Sequence, residues 1–346
     1  MSAAERTPRI LVIRRDNIGD LVCTTPLLRS LRTQLPRARI AALATRYNAA
    51  ALAGNPDLDA VYAYTKAKHR GEGENVIALY ARRVGLALEL RRERFDWVLL
   101  PGGPHASALR FARWIGAQRT LVRGPADAAA GPHEVEQCCS LLARMGLRYE
   151  TPPQRVVPDP GELAAIGSRI AAHWPARPGS LIALHLSARK PSQRWSAANF
   201  AALARALHRE SGAAFLLLWA PGGSEGRAHP GDDEKAREVI EAAGAVPVLP
   251  LATRRLEVLI AALAHCDAVI CCDGGAMHLA AALGKPIVCL FGRSDAARWR
   301  PWGVAHELLQ KDSREVSDIA PREALAAYAR LRARLAAGNP VDSPAA

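Results

Sequence analysis

The chain has 346 residues, 49% of them hydrophobic and 23% charged, with a net charge of +13 at neutral pH. That length exceeds one ordinary core and suits two domains. No apolar run approaches the roughly 20 residues a bilayer span needs, and the opening MSAAERTPR lacks the apolar segment of a secretory signal, so a cytoplasmic protein is expected.

Arg9 to Arg14 reads as a short apolar strand, followed by the turn Arg15-Asp16-Asn17-Ile18-Gly19-Asp20 and a helix from about Leu21 to Leu35. Strand, glycine-containing turn and helix make the first unit of a Rossmann-like α/β domain. It is not the dinucleotide fingerprint, because Gly19 stands alone where three glycines are needed. Asp20 is either a charge favoured by the helix dipole or a catalytic base at the carboxyl end of the first strand.

Further strands are expected at Arg39 to Ala44, Ala60 to Tyr64 and Trp97 to Leu100. Between them, Lys66 to Gly73 is basic and lacks an apolar period. It reads as surface, with Lys66, Lys68 and Arg70 as acceptor-binding candidates. Arg82, Arg83, Arg91, Arg92 and Arg94 read as a solvated helix face. Asp57-Leu58-Asp59 matches the D-x-D pattern of metal-dependent sugar transferases, yet it follows Asn55-Pro56 and precedes a strand, so it reads as a turn and no metal is expected.

The proline-rich stretch from Tyr149 to Pro160 and Ala176-Arg177-Pro178-Gly179 mark a boundary. They predict a first domain over residues 1–175 and a second over 176–320, then a closing helix over 321–337 and a disordered tail over 338–346. The second domain opens with a strand at Leu181 to Leu186, a basic loop through Lys190 and Arg194-Trp195, and a helix from Ala197 to Glu210. Strands at Phe215 to Trp219 and Val246 to Leu249 follow.

Ala268 to Gly292 then forms a strand–turn–helix–strand unit whose strands lack polar alternation, as central parallel strands do. Its turn, Asp273-Gly274-Gly275, lies where open α/β sheets bind ligands. The two glycines let a phosphate approach the backbone, and the first N–H groups of the next helix can hold it. Asp273 and His278 supply polar side chains there.

Charge and thiols refine the picture. Residues 1–178 carry 26 Lys and Arg against 16 Asp and Glu, whereas the rest has 20 against 17. A field concentrated in the N-terminal half attracts an anionic lipid, a membrane face or nucleic acid. Aromatic content of 5% and the absence of a recognition motif argue against specific nucleic-acid binding. The seven cysteines show no C-x-x-C spacing and read as buried thiols.

Jointly, three ordered motifs resemble those of glycosyltransferase family 9, the ADP-heptose:lipopolysaccharide heptosyltransferases, over nearly the whole chain. They are Ile13 to Leu21 with Thr24 to Leu28, the stretch at Arg194-Trp195, and Asp273 to Ala281 with Phe291-Gly292. The resemblance implies a GT-B architecture, two Rossmann-like domains facing across a cleft with the last helix crossing back to the first domain. It implies an inverting, metal-independent transfer of heptose from ADP-heptose, without a cofactor, to an anionic glycolipid of the lipopolysaccharide inner core at the inner face of the cytoplasmic membrane. Asp20 would be the general base, and Asp273, Gly274, Gly275 and His278 would bind the donor.

The pattern departs in two places. Gln193 stands where the family usually has lysine, leaving Lys190 or Arg194 to take over its work. Gly274 replaces the usual Thr or Ser. The family's ribose-binding acid falls to Glu225 or Glu234.

Overall fold

The computed structural model describes residues 7–65, 76–223 and 231–338. They form two compact units, divided between Val156 and Val157. The predicted acceptor candidates Lys66, Lys68 and Arg70, the acid Glu225 and tail residues 339–346 lie outside the described residues.

The first unit runs β1 (Arg9–Ile13), α1 (Ile18–Val22), α2 (Thr25–Gln34), β2 (Arg39–Thr45), β3 (Ala60–Tyr64), α3 (Val76–Arg92), β4 (Trp97–Leu100), α4 (Ala106–Ile115), β5 (Arg119–Val122), α5 (Glu134–Cys139) and α6 (Leu141–Arg144). Its parallel sheet has the order β3-β2-β1-β4-β5. Strand order reverses between β1 and β4, which opens a crevice at their carboxyl ends. The helix expected from Leu21 to Leu35 is split. Thr24 Oγ1 donates to the Asp20 carbonyl at 3.0 Å and Thr25 Oγ1 to the Val22 carbonyl at 2.7 Å, and Pro26 lies in the first turn of α2, where a missing N–H costs nothing.

The second unit runs α7 (Pro160–His173), β6 (Leu181–His185), α8 (Ala197–Ser211), β7 (Ala214–Trp219), α9 (Asp233–Ala243), β8 (Val248–Ala252), α10 (Leu256–His265), β9 (Ala268–Cys272), α11 (Gly275–Ala282), β10 (Ile287–Phe291), α12 (Ala296–Trp299), β11 (His306–Gln310) and α13 (Pro321–Ala336). Its six strands take the order β11-β10-β9-β6-β7-β8, all parallel, with the reversal between β6 and β9. β6, β9 and β10 are buried along their whole length, which is why they read as unbroken apolar runs. Pro250 is tolerated because β8 is an edge strand.

Helix α7, given to the first domain by its sequence position, belongs to the second unit. It packs on α10, where His265 Nε2 contacts the Leu163 carbonyl at 2.9 Å and Arg255 pairs with Glu162. Helix α13 packs on α8, β10 and β11. Trp195, fully buried, anchors this core in a T-shaped contact with Phe200 and with its indole N–H donated to the Ile319 carbonyl at 2.8 Å. All seven cysteines are buried and unbridged.

Candidate active site

In the first unit, the turn after β1 places a guanidinium among carboxylates. Arg14 is 3% exposed, and its Nη2 donates both to Asp20 Oδ1 and to Glu134 Oε1 at 2.7 Å each. Its Nη1 reaches Cys138 Sγ at 3.4 Å, and its Nε stands 3.0 Å from Asp16 Oδ2. Glu134, with no exposed surface, also accepts from Arg123 Nη1 at 2.8 Å. A buried cation of this kind is tolerable only because carboxylates surround it. Gly102, in the loop after β4, makes room for the cluster: a Cβ there would come within 2.8 Å of Asp16 Oδ2.

Asp20 sits in the first turn of α1 with its side chain 15% exposed. Oδ2 accepts from the Asn17 backbone N–H at 3.0 Å and from Asn17 Nδ2 at 2.9 Å. A carboxylate oxygen offers two lone pairs, so Oδ2 is saturated, while Oδ1 keeps one beside the Arg14 bond. Burial by itself would raise the Asp20 pKa, but the Arg14 charge and the Asn17 donors outweigh it and hold the carboxyl below its usual range. Asp20 is therefore an ionised, oriented carboxylate whose Oδ1, among the described residues, keeps a lone pair that can take a proton. The Asp57-Leu58-Asp59 carboxylates are engaged structurally: Asp59 accepts from the Ile40 N–H and Arg32, and Asp57 from Arg155.

In the second unit, three loops converge at the carboxyl ends of β6, β9 and β10. Gln193 is buried, and its Nε2 donates to Asp273 Oδ2 and to Ser294 Oγ, the latter at 2.8 Å. Asp273 is fixed by its own N–H on the Leu290 carbonyl at 2.9 Å. Gln310 Nε2 holds the third loop by the Gly292 and Ser294 carbonyls, at 2.7 and 3.0 Å. Gly292 is required for this convergence, because a Cβ there would lie 2.2 Å from the Ser192 carbonyl oxygen.

Among the described residues, no side chain caps the N-terminus of α11, and a Cβ on Gly274 would meet open space. The first N–H groups of α11 therefore face room for an anion. His278 lies buried on α11 in a T-shaped contact with Trp299, centroids 6.1 Å apart.

The predicted substitutes for the lysine are placed otherwise. Lys190 is exposed, and Arg194 donates Nε to the Ala188 carbonyl at 3.1 Å, whereas Gln193 itself meets Asp273. Lys235 of α9, absent from the sequence reading, reaches the Leu186 carbonyl at 2.9 Å and lies over the Phe200 ring. Burial lowers its pKa, and burial with the nearby Lys235 charge pushes His185 down to about 4, so His185 is neutral at pH 7. Glu234 is exposed and paired with Arg237. Its neighbour Asp233 closes the end of β7 by accepting from Trp219 Nε1 at 2.7 Å and the Gly222 N–H at 2.9 Å. Among the described residues, no group of three or more His, Cys, Asp or Glu could hold a metal ion.

Residues 84–320 match the family model "Glycosyltransferase family 9 (heptosyltransferase)"; Gln193 and Asp273 fall within the match and Asp20 precedes it. The chain is 26% identical over 304 residues to lipopolysaccharide heptosyltransferase 3 of Escherichia coli K12, covering 82% of each protein. Its fold resembles a family 9 glycosyltransferase from Veillonella parvula at a TM-score of 0.80 and 20% identity, covering 94% of this chain and 97% of that one. It also resembles an Escherichia coli heptosyltransferase with ADP-2-deoxy-2-fluoro heptose, at a TM-score of 0.69 and 18% identity, covering 93% and 99%.

Proposed function

Because the chain belongs to glycosyltransferase family 9, we propose that it transfers heptose from ADP-heptose to an anionic glycolipid acceptor of the lipopolysaccharide inner core, with inversion and without a metal. The observation that carries the reading is Asp20, a carboxylate held ionised at the carboxyl end of β1 with one lone pair of Oδ1 open. A sugar hydroxyl is a poor nucleophile, and a positioned base that removes its proton contributes about 10²–10⁴-fold. The donor is read onto the second unit. There Asp273 takes a hydroxyl of the nucleotide sugar, and the N–H groups of α11 with basic side chains nearby meet the charge that develops on the leaving diphosphate. The acceptor falls to the first unit, where most of the excess positive charge lies. The protein works peripherally at the inner face of the cytoplasmic membrane, where such acceptors are anchored.

A related reading keeps the fold and the base and changes the sugar. It is favoured by Gln193, which brings no charge to the donor site, and by Gly274, which brings no hydroxyl. Titration with ADP, ADP-heptose, UDP and UDP-glucose separates the two. Selective binding of ADP-heptose, followed by transfer that survives EDTA, supports the heptosyltransferase; preference for a uridine nucleotide overturns the sugar, and loss of turnover in EDTA overturns metal independence.

A further inference from the structure

Four of the large hydrophobic side chains that the first unit exposes lie on two adjacent helices. Tyr80, Val84 and Leu88 of α3 are 54%, 51% and 50% exposed, and Trp114 of α4 is 45% exposed. The spacing of four residues sets the α3 side chains one above another on a single face. A helix that spends this face on water gives up burial worth having, unless something else covers it.

The two helices present one surface. Arg83 lies over the Tyr80 ring at 5.2 Å and over the Tyr64 ring at 5.5 Å; Tyr64 meets Phe111 at 5.4 Å, and Phe111 meets Trp114 at 5.9 Å. Tyr80 and Trp114 are thus the two outer ends of one continuous line of ring contacts. The same line touches the β1 turn: Arg15 donates to Tyr64 Oη at 2.8 Å and stacks over both Tyr64 and Phe111. Arg15 directly follows Arg14, which holds Asp20.

Charge decides what covers the face. Exposed Arg91 and Arg92 follow the apolar stripe at the C-terminal end of α3, and exposed Arg110 and Arg113 flank Trp114 on α4. Against them the exposed part of α3 sets Glu89 alone. Apolar side chains with tyrosine and tryptophan at the margins and arginines around them match a headgroup layer over acyl chains, where aromatic residues anchor and basic ones meet anionic lipid. A second copy of the chain would press like-charged arginines together.

We infer that the α3–α4 face docks the protein on an anionic bilayer, with Tyr80, Val84, Leu88 and Trp114 entering the interface. The inference rests on the proposed lipid-anchored acceptor for its purpose, since the contact line from this face to Arg15 would bring membrane and base turn together. Its physical basis does not require that acceptor. None of the helices in the described residues is long and apolar enough to cross a membrane, so attachment through this face would be peripheral.

The test uses the full chain and vesicles free of donor and acceptor, so that it stands apart from the sugar chemistry. Sedimentation is measured with vesicles of phosphatidylethanolamine and phosphatidylglycerol and with phosphatidylcholine alone. Wild-type protein should bind the anionic vesicles, and V84E/L88E should bind at least about tenfold more weakly. Both positions are half exposed, so the variant should keep the wild-type thermal midpoint and its ADP affinity, and transfer to a detergent-free, delipidated acceptor should stay within about twofold. Equal vesicle binding by V84E/L88E overturns the inference. So does a wild-type dimer in sedimentation velocity that V84E/L88E abolishes, because the occupant is then a second copy. If V84E/L88E loses vesicle binding while no variant shows heptosyl transfer, the docking face stands and the sugar assignment falls.

Discussion

Arg14 and Glu134 lie 120 residues apart in sequence and meet at 2.7 Å in the interior of the first unit, through the same Arg14 nitrogen that holds Asp20. When Asp20 accepts a proton its charge disappears, and Glu134 remains to compensate the buried guanidinium. If Asp20 is the base, as proposed, it can therefore be neutralised in turnover without releasing the group that orients it.

Replacing Asp20 by Asn keeps the shape and removes the base. The maximal rate should fall about 10²–10⁴-fold, while calorimetry should give ADP affinity unchanged, because Asp20 belongs to the first unit and the donor is assigned to the second. Turnover equal to wild type would remove Asp20 from the chemistry.

Glu134 makes two separable predictions. Glu134→Ala strips a fully buried carboxylate from two arginines and should lower unfolding free energy by about 3–5 kcal/mol, read from urea midpoints. Glu134→Gln keeps the volume and tests the charge. As the proposed base, Asp20 would act when ionised, so activity should fall as pH drops through its lowered pKa. Asp20 faces Arg14, Asn17 and Cys23, and Arg14 in turn faces Asp16, Glu134 and Cys138, with Arg123 behind Glu134. Without the Glu134 charge, the Arg14 cation acts on Asp20 less opposed, and the acid limb of kcat/KM should move to lower pH. A limb that stays in place would make Glu134 purely structural.

Gln193→Lys restores a cation beside Asp273. A charged donor adds about 1 kcal/mol over a neutral one, so ADP should bind roughly fivefold tighter by calorimetry. Weaker binding would show that Asp273 needs the Gln193 amide in place more than the diphosphate needs the charge.

His185 links stability to pH. Its folded pKa, about 4, lies below the ordinary value near 6.5. The unfolded chain takes up this proton first, so stability contributed above pH 6.5 is lost as pH falls from there toward 4. The loss should reach a few kcal/mol at most, on the order of 3, and His185→Asn should flatten the dependence of urea midpoints between pH 7 and 4.5.

Much of the fold was legible because parallel strands covered on both faces are continuous apolar runs, as at Ala268–Cys272 and Ile287–Phe291. β5 and β11 escaped notice because they are edge strands: β5 carries exposed Arg119 and Thr120, and β11 is half-buried over most of its length. The break between α1 and α2 was hidden in a helix-like pattern, with only Thr24, Thr25 and Pro26 as its local signal.

The sequence by itself determined two α/β units, the turns at which ligands would sit, and Asp20 and Asp273 at strand ends, because these depend on periodicity, glycine and chain order. Only the tertiary structure decided what those carboxylates touch. Glu134 reaches Arg14 across 120 residues and is itself held by Arg123, and Gln193 meets Asp273 and Ser294 across 80 and 101 residues. Such contacts follow from which strands lie side by side, and no local residue pattern encodes that adjacency.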